Sequence, residues 1–129
     1  MLLEALSLVL QPITLMNILL GVASGIFIGC LPGLTATMGV ALMLPLTFGM
    51  DASAGILLLI GVYVGAIYGG SISAILLNTP GTPASAATVL DGYQMARRGE
   101  AGRALGISTT SAFIGGTVSG VFLILISPQ

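Results

Sequence analysis

Apolar residues run along this chain in long continuous blocks, separated by short clusters of proline, glycine and hydroxyl side chains. They do not alternate as the residues of half-buried or barrel strands do. "LLEALSLVLQ" (2–11) predicts a short helix with Glu4 and Gln11 as its polar points. Pro12 then fits the first turn of a second helix, where a missing N–H is no loss. "ITLMNILLGVASGIFIGCL" (13–31) is a membrane segment interrupted only by Asn17 and Ser24, and it ends at "PGLTATMG" (32–39). The next stretch, "VALMLPLTFGM" (40–50), contains Pro45 and is too short to span alone if its helix restarts at Thr35. Asp51 opens a "DASAG" turn expected to cap a helix over 54–78. That helix is uncharged and long enough to span with some tilt. A second break follows in "LNTPGTPASAATVLDGYQ" (77–94), then a short helix over 84–96 carrying Asp91. The loop "RRGEAGR" (97–103) leads to a last segment, 104–127, long enough to cross.

Composition turns this pattern into a class. The chain is 56% hydrophobic and 5% charged, with a mean hydropathy of +1.14. Soluble domains carry about 25% charged residues, so this one cannot cover itself with a solvated surface. The expected fold is an all-α integral membrane protein, a polytopic helical bundle with two Pro-Gly-broken helices or helical hairpins. One membrane domain is expected, made of a first broken-helix unit (1–50), a second (51–103) and a further helix (104–127). Glu4 stands where a signal peptide would be positive, and no basic residue precedes Arg97. The net charge of −1 and the lack of a basic run exclude nucleic acid as a partner, leaving membrane lipid as the surroundings. Arg97, Arg98 and Arg103 all fall in one loop, so residues 97–103 are expected in the cytoplasm. Cys30, the single cysteine, reads as a small packing residue. With no histidine, no carboxylate pair and no metal-ligand spacing, the chain does not read as an enzyme.

The candidate chemistry lies at the two breaks, whose Pro-Gly pairs begin at Pro32 and Pro80. After each pair a helix restarts, and its first N–H groups have no partner within the helix. Such an end carries roughly half a positive charge and attracts anions. Thr35 and Thr37, or Thr82 and Ser85, would add hydroxyl donors beside those amides. Irregular backbone survives at membrane depth only where protein or a water-filled cavity satisfies it, and secondary transporters use paired breaks of this kind to hold their solutes. Pro-Gly also ends membrane helices at the surface, so a pair of surface turns is the other placement. Gly21, Gly25 and Gly29 form one GxxxGxxxG row, and Gly61, Gly65 and Gly69 form another; both read first as helix-packing faces. Gly116 and Gly120 add a pair near the end. Asp91 either ends its helix at the interface or, if deeper, assists a cation.

Two blocks carry a resemblance. "GCLPGLTATMGVALMLPLTFGMD" and "YVGAIYGGSISAILLNTPGTPASAATVLDGYQMARRGEAGRALG", in that order, resemble the large membrane subunit of the tripartite tricarboxylate transporters, the TctA type. The resemblance implies a polytopic permease working with a small membrane subunit and a periplasmic solute-binding protein that delivers a carboxylate. It implies uptake across the bacterial inner membrane by symport with sodium or protons, with no other cofactor. The motif residues it assigns to the substrate and ion site, or beside it, are Pro32, Gly33, Leu34, Thr35, Ala36 and Thr37 in the first block. In the second they are Asn78, Thr79, Pro80, Gly81, Thr82, Pro83, Ala84 and Ser85. The chain is much shorter than such a permease and reads as its N-terminal part. The other reading is a small non-transporting membrane subunit that packs through its GxxxG faces against a partner.

Overall fold

The computed structural model describes residues 1–127 and is all helix and turn, with no strand among the described residues. Six helices follow in order: α1 (Leu2–Val9), α2 (Pro12–Gly29), α3 (Ala36–Met43), α4 (Ala52–Leu77), α5 (Ala86–Arg97) and α6 (Ala101–Ile126). Short 3-10 segments at Leu44–Gly49 and Pro83–Ser85 extend α3 and precede α5. Three of the helices, α2, α4 and α6, are long and apolar enough to cross a membrane. Most large apolar side chains of α1, α2 and α6 point outward, as lipid-facing surfaces do. The small buried core centres on α4, at Val62, Ala66, Ala74 and Ile75.

The centre of the fold is a parallel pair. Gly21 lies against Leu58 and Val62, Gly25 against Val62, and Gly29 against Ala66. The reciprocal row sets Gly61 on Ile18 and Gly21, Gly65 on Val22 and Ile26, and Gly69 on Ile26 and Cys30. Contacts therefore advance in the same direction along α2 and α4. All six glycines are buried, and the atoms they meet are backbone. With no side chain between them the two backbones touch, which maximises dispersion contact where lipid supplies no hydrophobic drive.

Between these parallel helices the chain must return. It turns at residues 30–35 and descends through α3 and the 3-10 segment. On the way Gly39 sits over Ile28 and Val62, and Gly55 near the base of α4 meets Thr47. Thr35 caps α3, its hydroxyl oxygen accepting from the Met38 N–H at 3.2 Å. Pro45 lacks the N–H that an α-helix would use, and the helix tightens to 3-10 at Leu44. Asp51 occupies the position preceding α4, as expected, but its side chain makes no capping bond. The helix it precedes begins at Ala52 rather than 54.

α5 stops in a Schellman motif. Gly99, at φ +81°, lets its own N–H reach the Ala96 carbonyl while the Glu100 N–H reaches Met95. This tight turn shortens the expected 97–103 loop. Arg103 stands in the first turn of α6, 4.0 Å from Glu100 in a solvent-exposed pair. α6 then runs back antiparallel to α4, tied to it by a hydrogen bond between Tyr68 and Thr109. Beyond that bond it leans away: Gly115, Gly116 and Gly120 meet nothing within 4 Å.

Candidate functional site

The first corner, residues 31–35, leaves α2 through Cys30 and reverses at Gly33, whose φ of +97° suits only glycine. Pro32, Gly33 and Thr37 are exposed, Leu34 and Thr35 half-buried, and Ala36 buried. The Thr35 hydroxyl oxygen is occupied by its own helix.

The second corner is reached later along its helix. α4 runs on past Gly69 for eight more residues before Asn78 caps it in the left-handed conformation at φ +57°. The chain then folds back down the side of α4, so that the Gly81 N–H meets the Gly70 carbonyl at 3.4 Å. Gly81 also touches the carbonyl oxygen of Gly29, and a Cβ built on it would lie 2.8 Å from the Ser73 hydroxyl. Thr82 covers Gly70: a Cβ there would fall 2.7 Å from the Thr82 Oγ1 and 3.0 Å from its nitrogen. Gly81, Thr82 and Ser85 are buried, whereas Asn78, Thr79, Pro80, Pro83 and Ala84 are exposed.

The fold-back thus brings the second break against the end of α2 that leads into the first. Gly29 and Gly81 are the point of contact, and each break restarts a helix beyond it. The hydroxyls divide in their use. Ser85 Oγ donates to the Thr82 carbonyl at 2.8 Å and accepts from the Thr82 N–H at 3.3 Å. This is one half of a capping box. In the other half Thr82 Oγ1 faces the Ser85 N–H, but no hydrogen bond forms there, and this fully buried oxygen has no bonded partner among the described residues.

A cavity of about 670 Å³ opens between α4, α5 and α6, beside the start of α5 at Ala87 and Thr88. Its polar lining residues are Tyr63, Tyr68, Ser71, Thr88, Asp91, Ser108 and Ser111, and the remainder are apolar or glycine. Sequence reasoning did not single out these serines. Their signal is the spacing Ser108, Ser111, Ala112, Gly115 and Gly116, a small-residue stripe along one side of α6. Asp91 is exposed on α5 at the cavity wall.

Residues 15–129 match the Tripartite tricarboxylate transporter TctA family. The chain belongs to that family. A relative from Agrobacterium vitis, described as "Uncharacterized 52.8 kDa protein in TAR-I ttuC' 3'region", is 42% identical over 119 residues. That alignment takes in 92% of this chain but 24% of the relative, so the chain spans about a quarter of the length of the protein it matches. No solved structure matches it. Membership in a membrane-transporter family is in keeping with the three membrane-length helices among the described residues. Both breaks lie within the matched residues.

Proposed function

We propose that this chain is part of a carboxylate permease and that its two breaks supply the substrate's anchoring groups. The observation that carries the reading is the contact of Gly81 with Gly29, which gathers two helix-initiating corners at one level of the α2–α4 pair. The amides at the head of α3 and of the α5 segment give two positive dipole ends for a di- or tricarboxylate. Thr35, Thr37, Thr82 and Ser85 stand beside them, and no basic side chain precedes Arg97. Dipoles rather than a buried arginine would therefore do the binding.

Length supports a site within the membrane's thickness. α4 has 26 residues, about 39 Å at 1.5 Å per residue, against a hydrocarbon core of about 30 Å. Gly70 lies seven residues, about 10 Å, from the helix's C-terminal end. In a centred helix the corner at Thr82 would sit about 6 Å inside the core boundary. By the positive-inside rule, the exposed arginines near the α5–α6 turn support a cytoplasmic position for that same end of α4. Sodium or protons would drive uptake, a small membrane subunit would complete the membrane part, and a periplasmic binding protein would deliver the solute.

The test uses the longer permease with its partner subunits. Thr35→Val, Thr82→Val and Ser85→Val are assayed for uptake of labelled citrate. Losing one hydrogen bond to a charged group costs about 1.5–3 kcal/mol, so the KM for citrate should rise about tenfold or more in at least Thr82→Val. Unchanged KM and rate in all three would remove these side chains from the site.

A further inference from the structure

We propose that the second corner is a gate, docked on α4 when empty, and that a bound carboxylate holds it open through the Thr82 hydroxyl. The ligand's identity rests on the function proposed above; the docking contact does not.

Burial forces the question. Thr82 is 4% exposed, and its buried Oγ1 faces the Ser85 N–H without a hydrogen bond to any of the described residues, so in this arrangement it cannot touch a solute. Buried hydroxyls are nearly always hydrogen-bonded, and an orphan calls for a reason. Valine has almost the same shape and would fill the space over Gly70 without a polar atom to satisfy. A threonine at the head of a helix whose amides are free is explained if its hydroxyl finds its partner in another state.

The contact is also built to open. Two long hydrogen bonds tie the corner to α4 among the described residues: the Gly81 N–H to the Gly70 carbonyl at 3.4 Å and, within the turn itself, the Thr79 hydroxyl to the Leu77 carbonyl at 3.3 Å. The rest is glycine against backbone and Thr82 against bare Gly70. Within the corner, by contrast, Ser85 Oγ bridges both the N–H and the carbonyl of Thr82, so residues 82–85 move as one piece. A turn containing Asn78 in the left-handed conformation joins that piece to α4. Gly70 stands outside the row of Gly61, Gly65 and Gly69 that packs on α2, and its role is to seat Thr82. Lifting the corner would bare Ser73, which is 2% exposed, and would free Thr82 Oγ1 to donate to a carboxylate. A ligand that binds only the lifted form shifts the population toward it.

The test places a reporter under the gate. In the longer permease, with Cys30→Ser and any other cysteines removed, Ser73→Cys is treated with N-ethylmaleimide and its modification rate is measured. Citrate should speed modification about tenfold, as expected for a comparable shift in the open population, and chloride should not. Adding Thr82→Val should abolish the citrate effect, Thr82→Ser should keep it, and Gly70→Ala should speed modification with no ligand present. Equilibrium binding of labelled citrate is measured on the same samples. Citrate that binds without changing the rate overturns the gate and leaves the proposed function standing. Absence of citrate binding overturns the carboxylate reading and the ligand half of the gate, while Gly70→Ala still decides the docking contact. Should Ser73→Cys fail to fold, amide hydrogen exchange of residues 79–86 in the unmodified protein gives the same comparison. Faster exchange with citrate is expected, and equal or slower exchange overturns the gate.

Discussion

Gly25 is the sharpest test of the parallel pair. A methyl added there would overlap the Val62 carbonyl oxygen and lie 2.9 Å from both the carbonyl carbon and Cα, against the 3.4 Å at which ordinary contact begins. The obstacle is backbone, which no rotamer change can move, so α2 and α4 must part by at least the 0.5 Å difference. A gap of about 0.5–1 Å forfeits a quarter to a half of the dispersion well of each pair it separates. The loss would reach Gly21 and Gly29 on the same face. Overpacking costs about 1–3 kcal/mol, and a rigid obstacle belongs at the upper end. Alanine recovers about 1 kcal/mol of helix propensity over glycine, leaving a net loss of about 2 kcal/mol. Gly116→Ala is the control, since nothing lies within 4 Å of it; it should be neutral or mildly stabilising. The assay is the midpoint for heat-induced loss of the monodisperse peak in size-exclusion chromatography of the detergent-solubilised chain, with circular dichroism showing the helices intact. Equal midpoints for the two variants, or a lower one for Gly116→Ala, would refute the close-packed parallel pair.

Two further outcomes follow from single bonds. Thr35→Val removes the oxygen that accepts the Met38 N–H and should lower stability by about 1 kcal/mol, with Thr35→Ser close to the parent; the same chromatographic midpoint reads it. Tyr68→Phe removes the bond to Thr109 that ties α6 to α4. It should cost about 0.6 kcal/mol, the mean for hydrogen bonds between membrane helices, and should narrow the distance distribution between spin labels on α4 and α6 not at all but broaden it, a change that electron-spin distance measurements detect.

What the sequence made legible follows from local rules. Pro12 at the start of α2, the helix restart at Thr35 and the two Pro-Gly corners all obey requirements of the residues beside them, and the helices begin and end within a few residues of expectation. Gly99 could have been read as a Schellman glycine, which would have put Arg103 on α6 rather than in a loop. The pairing of the two glycine rows was out of reach. A GxxxG row marks a face that admits a close neighbour, but neither the neighbour nor its direction is written in that face. The use of Ser85 was hidden for another reason: a hydroxyl near free amides reads as a ligand group until the geometry shows it bonded to its own turn. Gly70 was invisible as a seat, because its role depends on a fold-back that no local pattern encodes.

The spacing of the two repeats explains that fold-back. The glycine rows are related by 40 positions, Gly21 to Gly61 and Gly29 to Gly69, whereas the Pro-Gly corners are related by 48, Pro32 to Pro80. Because α2 and α4 pack in parallel through matching rows, the second corner would overshoot the first by eight residues, about 12 Å of helix. The chain removes that offset by ending α4 at Asn78 and doubling back until Gly81 meets Gly29. The doubling back needs a left-handed residue to reverse the chain and a bare surface to receive it. Asn78 supplies the first, and Gly70, the extra glycine beside the second row, supplies the second. Packing alone would be served by two parallel helices of any length. The eight extra residues and the bare Gly70 are accounted for when the two corners have to meet, as the shared site proposed above would require.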